Sequence, residues 1–279
     1  MSELSISLPA KDIQTLLDRL IQQAQQTAHP ESKRLRIAGH LCGWVFPAAA
    51  TALVGLTGIQ VHPTEMDIGA DLNPGSQLDQ LLAVVADTLR AAGCAPGWRN
   101  ELLDIWADPS PVPLRLGAIE RGVMRPLGLI TRAVHLNAWS DQGGLWVARR
   151  SLTKATDPGM WDTLVGGLIG SQEDVDLALI RETDEEAGLD APDIENRTPL
   201  RTITRMNRRI PEGLQVEDVL TCECVLPMHI TPKNRDGEVM EIQCLRPELV
   251  FEMLQSGAFT VEASIVIAED LLRRARQVA

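Results

Sequence analysis

The chain has 279 residues, a formal net charge of −12 at pH 7 and five cysteines. Its length suits one large domain or two ordinary ones, each with its own hydrophobic core. The negative charge would repel the phosphate backbone of a nucleic acid, so we expect no nucleic-acid polymer as a partner. The cysteines are odd in number and lack metal-ligand spacing, which favours packing thiols in a reducing, cytoplasmic setting.

The first part of the chain is predicted to contain two helices around a region rich in glycine and proline. Apolar residues at helical spacing predict an amphipathic helix within residues 9–27 and a second helix over residues 77–92. The apolar residues 42–59 are too few and too rich in alanine and glycine to span a bilayer. We therefore expect buried strand and turn there, with no membrane contact. The first residues have no basic-then-apolar pattern and no small-residue cleavage site, so we expect no export.

The second part of the chain has the alternating apolar residues that are typical of strands. Residues 129–138 and 144–150 are predicted to form a hairpin around a turn at residues 141–144. Further strands are expected at residues 200–206, 218–225 and 238–245, and a closing helix at residues 261–277. Residues 98–105 suggest a strand and residues 117–125 a short helical connector. The composition changes near residue 120, so we predict an N-terminal accessory domain over residues 1–120 and a second domain over residues 121–279.

One segment, residues 166–189, combines an acidic helix with flanking glycines and reads GGLIGSQEDVDLALIRETDEEAGL. Asp174 is a plausible N-cap and Gly188 a left-handed C-cap, so a helix is predicted between them. Within it Glu182, Glu185 and Glu186 fall three and four residues apart, on one side of the helix. An isolated acidic helix is more simply a solvated surface. Here the further residues in register favour hard divalent cations with oxygen ligands, Mg²⁺ or alternatively Mn²⁺.

Three more residues of this segment have expected roles. Glu173 precedes the helix, and we expect it in a loop, pointing toward Arg181 or a metal. Arg181 is predicted to orient a glutamate rather than to touch a substrate. Gly167 has no side chain, so the backbone can approach closely and its carbonyl could complete a metal shell.

The segment matches the pattern G-x5-E-x7-R-E-U-x-E-E-x-G-U, in which U is a bulky apolar residue, and in this it resembles the Nudix box. The one departure is Thr183 at the first U position, which a β-branched side chain can fill sterically. The resemblance implies the α/β class of fold, an α/β/α sandwich with a mixed sheet, here preceded by a smaller α/β domain. It also implies a Mg²⁺-dependent hydrolase that cuts a diphosphate linkage in a small molecule.

This resemblance implies a set of site residues. Metal ligands are expected among Gly167, Glu182, Glu185 and Glu186, and catalytic roles for Glu173, Arg181, Glu182 and Glu185, with Glu185 as a further ligand or as the group that takes a proton from water. The resemblance also implies an additional acid from outside the box, which many Nudix enzymes recruit. Its candidates, each also readable as an ordinary surface residue, are Glu238, Glu241 and Glu262.

Residues outside the box are candidates for substrate binding. Arg149, Arg150 and Lys154 follow a predicted strand just upstream of the box, so at least one of them could reach a diphosphate, although ordinary surface charge is an equal reading. Trp161, and Trp98 from the first domain, could stack on a heterocycle or simply belong to the core. His40 and His135 have no ligand partner at suitable spacing and are expected to be structural.

Further segments, residues 98–102, 120–121, 134–137, 145–154, 158–162 and 232–239, resemble one Nudix subgroup: the module fused to thiamine pyrophosphokinase in some fungi, and its stand-alone relatives. That likeness implies thiamine diphosphate analogues as substrates, notably oxidised or damaged forms cut to the monophosphate and phosphate, a metabolite-repair activity. We expect the N-terminal domain to help build the substrate pocket or a homodimer interface, and the sequence does not decide between these two roles.

Three alternatives stay open on the sequence alone. A Nudix pyrophosphatase acting on a nucleoside diphosphate derivative would have the same box and a different pocket. A Nudix isomerase of prenyl diphosphates would need a Cys and Glu pair that the sequence does not let us assign. A non-catalytic, nucleotide-sensing Nudix domain usually has a degraded box, and the box here is intact.

Overall fold

The computed structural model describes residues 7–154 and 156–277 of the chain. Its first helix, α1 (Ala10–Gln23), confirms the predicted amphipathic helix. The buried side chains Ile13, Leu16 and Leu17 of α1 belong to the same core cluster as the last helix of the chain. The domain boundary near residue 120 stays a prediction, and α1 shares its core with the C-terminal part of the molecule.

The first half is built on a four-stranded sheet with the order β2-β1-β4-β3. Two helices pack with it in one core cluster, and the elements are β1 (Lys33–Ile37), β2 (His40–Val45), α2 (Pro47–Leu53), β3 (Ile59–Val61), β4 (Glu65–Ile68) and α3 (Ser76–Ala91). The helix predicted over residues 77–92 is confirmed as α3. The expectation of strand and turn for residues 42–59 missed α2, because Pro47 opens this helix at its first position, where no backbone donor is needed.

A two-stranded ribbon joins the halves: β5 (Leu102–Trp106) pairs with β6 (Arg115–Glu120). The helical connector predicted over residues 117–125 was therefore wrong up to Glu120, and only Arg121–Val123 forms a short 3₁₀ turn. The buried Glu120 explains this ending, since its carboxylate accepts hydrogen bonds from the backbone N–H groups of Arg99 at 2.7 Å, Glu101 at 3.1 Å and Gly122 at 3.4 Å.

The second half contains a seven-stranded sheet with the path β11-β12-β7-β8-β13, to which β10 is added on β7 and β9 on β8. Strands β7 and β12 run parallel and the other pairs antiparallel, so the sheet is mixed. The predicted hairpin and strands are confirmed, several of them longer than expected. The strands are β7 (Ile130–Ser140), β8 (Leu145–Arg150), β9 (Trp161–Thr163), β10 (Val165–Leu168), β11 (Arg201–Ile210), β12 (Gly213–Leu226) and β13 (Val239–Leu245).

Helices cover both faces of this sheet. On one face α4 (Val175–Ala187) packs Ala178 and Leu179 against Leu136 of β7. On the other face α1, α5 (Pro247–Gln255) and α6 (Val261–Gln277) pack around Trp139 of the same strand. The expected α/β/α sandwich with a mixed sheet is thus confirmed. Helix α5 was not predicted, and α6 has the predicted bounds.

No helix among residues 7–154 and 156–277 is both long enough and apolar enough to cross a bilayer.

Candidate active site

Helix α4 begins and ends where its capping residues require. The Asp174 carboxylate accepts hydrogen bonds from the backbone N–H groups of Asp176 at 2.9 Å and Leu177 at 3.4 Å, which satisfies two donors of the first turn. Gly188 takes the left-handed conformation at φ 62° and ends the helix. Thr183, at the unusual position of the sequence pattern, is fully buried. Glu182 and Glu186 of α4 face β10, where Glu182 contacts Gly167 and Glu186 accepts a hydrogen bond from the backbone N–H of Gly166.

Glu186 is the most buried of the three glutamates of α4. One carboxylate oxygen accepts a hydrogen bond from the backbone N–H of Gly166 at 2.9 Å, and the other lies 3.4 Å from Lys154 Nζ. Burial raises the pKa of Glu186 to about 8, against the opposing effect of the Lys154 ammonium group. The charged form of this carboxylate therefore depends on a nearby cation.

Glu182 lies directly against the backbone of β10. A β-carbon built on Gly167 would overlap the carboxyl group of Glu182, so only glycine permits this approach. Burial raises the pKa of Glu182, and Arg181 beside it acts in the opposite direction. The close contact brings the carboxylate of Glu182 next to the backbone of Gly167.

Glu173 and Arg181 form a two-pronged ion pair. Arg181 Nε and Nη2 donate to the two carboxylate oxygens of Glu173 at 2.8 and 2.9 Å, and the backbone N–H of Gly170 donates to Glu173 at 2.8 Å. The Arg181 guanidinium holds the pKa of Glu173 below its usual range. Arg181 also reaches Glu182 at 2.7 Å and Glu185 at 3.4 Å. It thus links the loop before α4 to the glutamates of the helix.

The residues at this site fit a divalent cation by their chemistry. Glu182, Glu185 and Glu186 supply hard oxygen donors, and Gly167 beside Glu182 could add its backbone carbonyl. Two of the carboxylates are buried and need positive charge, while 44 % of the Glu185 side chain is exposed. Within residues 7–154 and 156–277, no three acidic, His or Cys side chains already stand at metal-ligand spacing. Arg181 and Lys154 neutralise the carboxylates instead.

A cavity of about 630 Å³ opens over these glutamates and is lined by residues from both halves of the chain. The C-terminal half contributes Lys154 and Glu238 beside the acidic helix. The N-terminal half contributes Arg99, Glu101 and Arg121. Sequence reasoning missed the two arginines as site residues: they lay in segments that resembled the subgroup, but no local pattern assigned them a role.

The three candidates for an additional acid lie in different places. Glu238 lines the 630 Å³ cavity and pairs with Lys154. Burial would raise the pKa of Glu238, but the contact with Lys154 brings it below its usual range. Glu241 contacts Arg149 at 3.6 Å and lines neither the 630 Å³ cavity nor the smaller cavity beside it. Glu262 lines a second, smaller cavity.

Two of the candidate substrate-binding residues lie on opposite faces of the sheet, because side chains alternate along a strand. Arg149 and Arg150 are neighbours on β8 and point to opposite faces of the sheet. Arg150 lines the second cavity, where it donates to Asp162 at 2.8 Å. Arg149 donates to the Gly159 carbonyl at 3.0 Å and lies 5.9 Å from the centre of the Trp161 ring. The structure brings Lys154 and Arg150 to the cavities, whereas Arg149 and Trp161 lie outside the linings of both.

The second cavity, of about 110 Å³, adjoins the first and shares Arg121, Lys154 and Gly167 with it. Its lining includes four polar residues of the sheet and of α6 that sequence reasoning did not bring together: His135, Gln215, Glu217 and Glu262. We call it the acceptor pocket.

The loop before α4 and the helix itself thus present buried carboxylates to an open cavity that cationic side chains also line. Residues 129–263 match the family model described as NUDIX domain. Nudix hydrolase 24, chloroplastic, of Arabidopsis thaliana is 30% identical over 207 residues, which are 73% of this chain and 56% of that protein. Uncharacterized Nudix hydrolase PA4841 of Pseudomonas aeruginosa is 30% identical over 151 residues, 54% of this chain and 82% of that protein. The chain belongs to the Nudix family.

Among solved structures, that of DR0079 from Deinococcus radiodurans aligns with a TM-score of 0.45 and 24% identity, over 63% of this chain and 99% of that one. The chain spans little more than half the length of its first three curated relatives, 56%, 52% and 55%.

Proposed function

We propose that this protein is a Mg²⁺-dependent hydrolase that cuts a diphosphate linkage in a small anionic molecule. The observation that carries the proposal is the close approach of Glu182 to Gly167, with Glu186 buried beside it, at a cavity that also holds cationic side chains. Carboxylates for metal and cations for phosphate are the two requirements of diphosphate hydrolysis.

Glu182, Glu186 and the Gly167 carbonyl are the proposed metal ligands, with Mg²⁺ as the expected ion and Mn²⁺ as the alternative. A bound Mg²⁺ would neutralise phosphate oxygens and lower the pKa of water. Glu185 has the most exposed carboxylate of the three, and we assign to it the removal of a proton from the attacking water. Arg181 holds Glu173 and orients the helix carboxylates.

Arg99, Arg121 and Lys154 are the proposed partners of the diphosphate oxygens. All three line the cavity, and Arg121 is held by Glu101 at 2.7 Å. Guanidinium groups suit this task because their planar N–H donors match phosphate oxygens. The first half of the chain would therefore complete the substrate pocket, which is one of its two expected roles. The other role, a homodimer interface, stays a prediction.

For the substrate we propose thiamine diphosphate analogues, notably oxidised or damaged forms, on the strength of the sequence segments that resemble that subgroup. The second candidate is a nucleoside diphosphate derivative, which the same carboxylates and cations would accept. Isomerisation of a prenyl diphosphate has less support, since no cysteine is found among the described residues that line either cavity. The complete carboxylate set favours an enzyme over a sensor.

The substrate is tested by chromatography of the products released, with Mg²⁺ and with chelator, because ADP-ribose or a dinucleotide is cut without release of free phosphate. The panel contains thiamine diphosphate, its oxidised analogues, ADP-ribose, nucleoside triphosphates, a dinucleotide and isopentenyl diphosphate. The proposal expects metal-dependent release that is fastest with the thiamine compounds. Preference for a nucleotide would support the hydrolase activity and contradict the assignment of thiamine compounds as substrates. No metal-dependent release from any compound would overturn the hydrolase and favour the sensor.

A further inference from the structure

The acceptor pocket carries buried polar groups that the proposed hydrolysis does not use. Gln215 and Glu217 lie on β12, Glu262 on α6 and His135 on β7, and all four line this pocket. His135, Gln215 and Glu217 are each more than nine-tenths buried. Buried polar groups are normally hydrogen-bonded, so any that lack a partner point to a ligand.

The N–H donors of Gln215 are already used within the pocket. Its side-chain nitrogen donates to Glu262 Oε1 at 2.9 Å and to Glu217 Oε1 at 3.4 Å. Glu217 Oε2 accepts a hydrogen bond from the Thr131 hydroxyl at 2.9 Å. Glu262 Oε2 is buried and has no hydrogen-bond partner among the described residues. The nearest cation to Glu262 is Arg208, at 3.9 Å, beyond hydrogen-bond distance.

The hydrogen bonds of His135 identify its free nitrogen as another acceptor. Its Nδ1 lies 3.1 Å from the Thr163 hydroxyl, which in turn donates to the Val165 carbonyl at 2.8 Å. Since the hydroxyl proton is used on Val165, Thr163 accepts from Nδ1–H, and a neutral ring then leaves Nε2 without a proton. Burial lowers the pKa of His135 and so favours this neutral ring. Nε2 is buried without a hydrogen-bond partner in the described part of the chain.

The unsatisfied groups of the pocket are thus all acceptors. Glu217 adds a second carboxylate beside Glu262, and burial together with that neighbour raises its pKa. A ligand that brings only further acceptors would leave these groups unpaired, which is unfavourable in a buried site. A ligand with N–H donors would satisfy them.

We propose that the acceptor pocket binds an amino-bearing heterocycle, the non-phosphate end of the substrate, through N–H donors to Glu262, Glu217 and His135 Nε2. The inference deepens the proposed function and rests on it for the identity of the ligand as a substrate. The pocket shares Lys154, Arg121 and Gly167 with the cavity of the glutamates, so one molecule would place its ring here and its diphosphate there. Aminopyrimidine and adenine rings carry the same donor chemistry.

The test compares ring compounds that differ only in the amino group and carry no phosphate: thiamine with its desamino analogue, and adenosine with purine riboside. Dissociation constants are measured by ligand-observed NMR in chelator, on the full chain, for the wild type, Glu262→Gln and Glu217→Gln. Glu252→Gln, at an exposed position of α5, is the matched control. Far-UV circular dichroism confirms the fold of each variant, and Glu262→Gln decides alone if Glu217→Gln fails to fold.

We expect at least one amino compound to bind about tenfold or more tightly than its desamino partner. The preference for the amino compound should disappear in Glu262→Gln and persist in the control. Whether the thiamine pair or the adenosine pair shows this preference tells whether the pocket binds an aminopyrimidine or an adenine. The inference is overturned if neither pair is distinguished, if neither ring binds, or if the preference survives in Glu262→Gln. The binding measurement needs no metal. If the amino compound is preferred but no Mg²⁺-dependent turnover is found, the proposed hydrolysis is wrong and the assignment of this pocket is retained.

Discussion

The contact between Gly167 and Glu182 is the tightest constraint at the scale of single residues. A β-carbon at position 167 would overlap the Glu182 carboxyl group. We predict that Gly167→Ala displaces Glu182 or β10 and lowers kcat/KM by about tenfold or more, with a loss of about 1–3 kcal/mol in the free energy of unfolding from overpacking. Steady-state kinetics and urea unfolding measure both effects.

The control for this substitution is Gly97→Ala, because a β-carbon there meets no heavy atom within 4 Å. Wild-type kinetics for Gly167→Ala would mean that the carboxylate is not held against β10 in solution.

Residue roles could be predicted from the sequence where they follow from local spacing. The glutamates of α4 and their caps depend on helical periodicity, which the sequence displays directly. Arg99 and Arg121 reach the site through tertiary contacts of the first half. Whether Arg149 or Arg150 faces a cavity depends on which face of β8 is covered, and the sequence contains no local signal for that.

At the scale of elements, the start of α4 depends on Asp174. Its carboxylate accepts the two backbone N–H groups of the first turn. We predict that Asp174→Ala lowers the free energy of unfolding by about 1 kcal/mol, while Asp174→Asn retains most of it because the amide oxygen also caps. Urea unfolding with the linear extrapolation measures the difference. Equal stability of the alanine variant and the wild type would show that this cap is dispensable.

Element types were predicted well where periodicity was long, as in α1, α3, α4 and α6. The expectation of strand and turn at residues 42–59 missed α2, which begins at Pro47 because proline needs no backbone donor at the first position of a helix. The expectation for residues 117–120 was wrong, because β6 is a strand only by virtue of its pairing with β5, a tertiary effect on a short segment. The ends of a helix can be predicted from its own capping residues. A short strand that depends on its pairing partner cannot be predicted from its own residues.

At the scale of the whole molecule, the first half holds the loop that carries Glu173. The Asp104 carboxylate of β5 accepts hydrogen bonds from the Ser171 hydroxyl at 2.7 Å and the Gln172 backbone N–H at 3.1 Å, and the Ser171 N–H donates to the Leu102 carbonyl at 2.9 Å. The ribbon of β5 and β6 is thus hydrogen-bonded to the loop before α4. Sequence separation hides this contact, as it hides the packing of α1 on α6.

We predict that Asp104→Ala lowers kcat/KM by about tenfold through loss of loop position, since small displacements of catalytic groups are costly. Asp87→Ala, at an exposed position of α3 in the same half, is the matched control. Kinetics with the best substrate of the panel make the comparison. An Asp104→Ala enzyme as active as the control would mean that the first half does not position the loop.

The measurement that tests the central claim most directly is Mg²⁺-dependent phosphate release by Glu186→Gln, with Glu252→Gln as the isosteric control. Substitution of a residue that only supports a metal ligand typically lowers activity by about 10–100-fold. Because Glu186 is itself a proposed ligand, we predict that Glu186→Gln lowers the Mg²⁺-dependent rate by at least about 100-fold. The fold should persist, because burial already disfavours the charge of Glu186. A variant that keeps most of the Mg²⁺-dependent rate of the wild type would contradict the assignment of the metal site to α4.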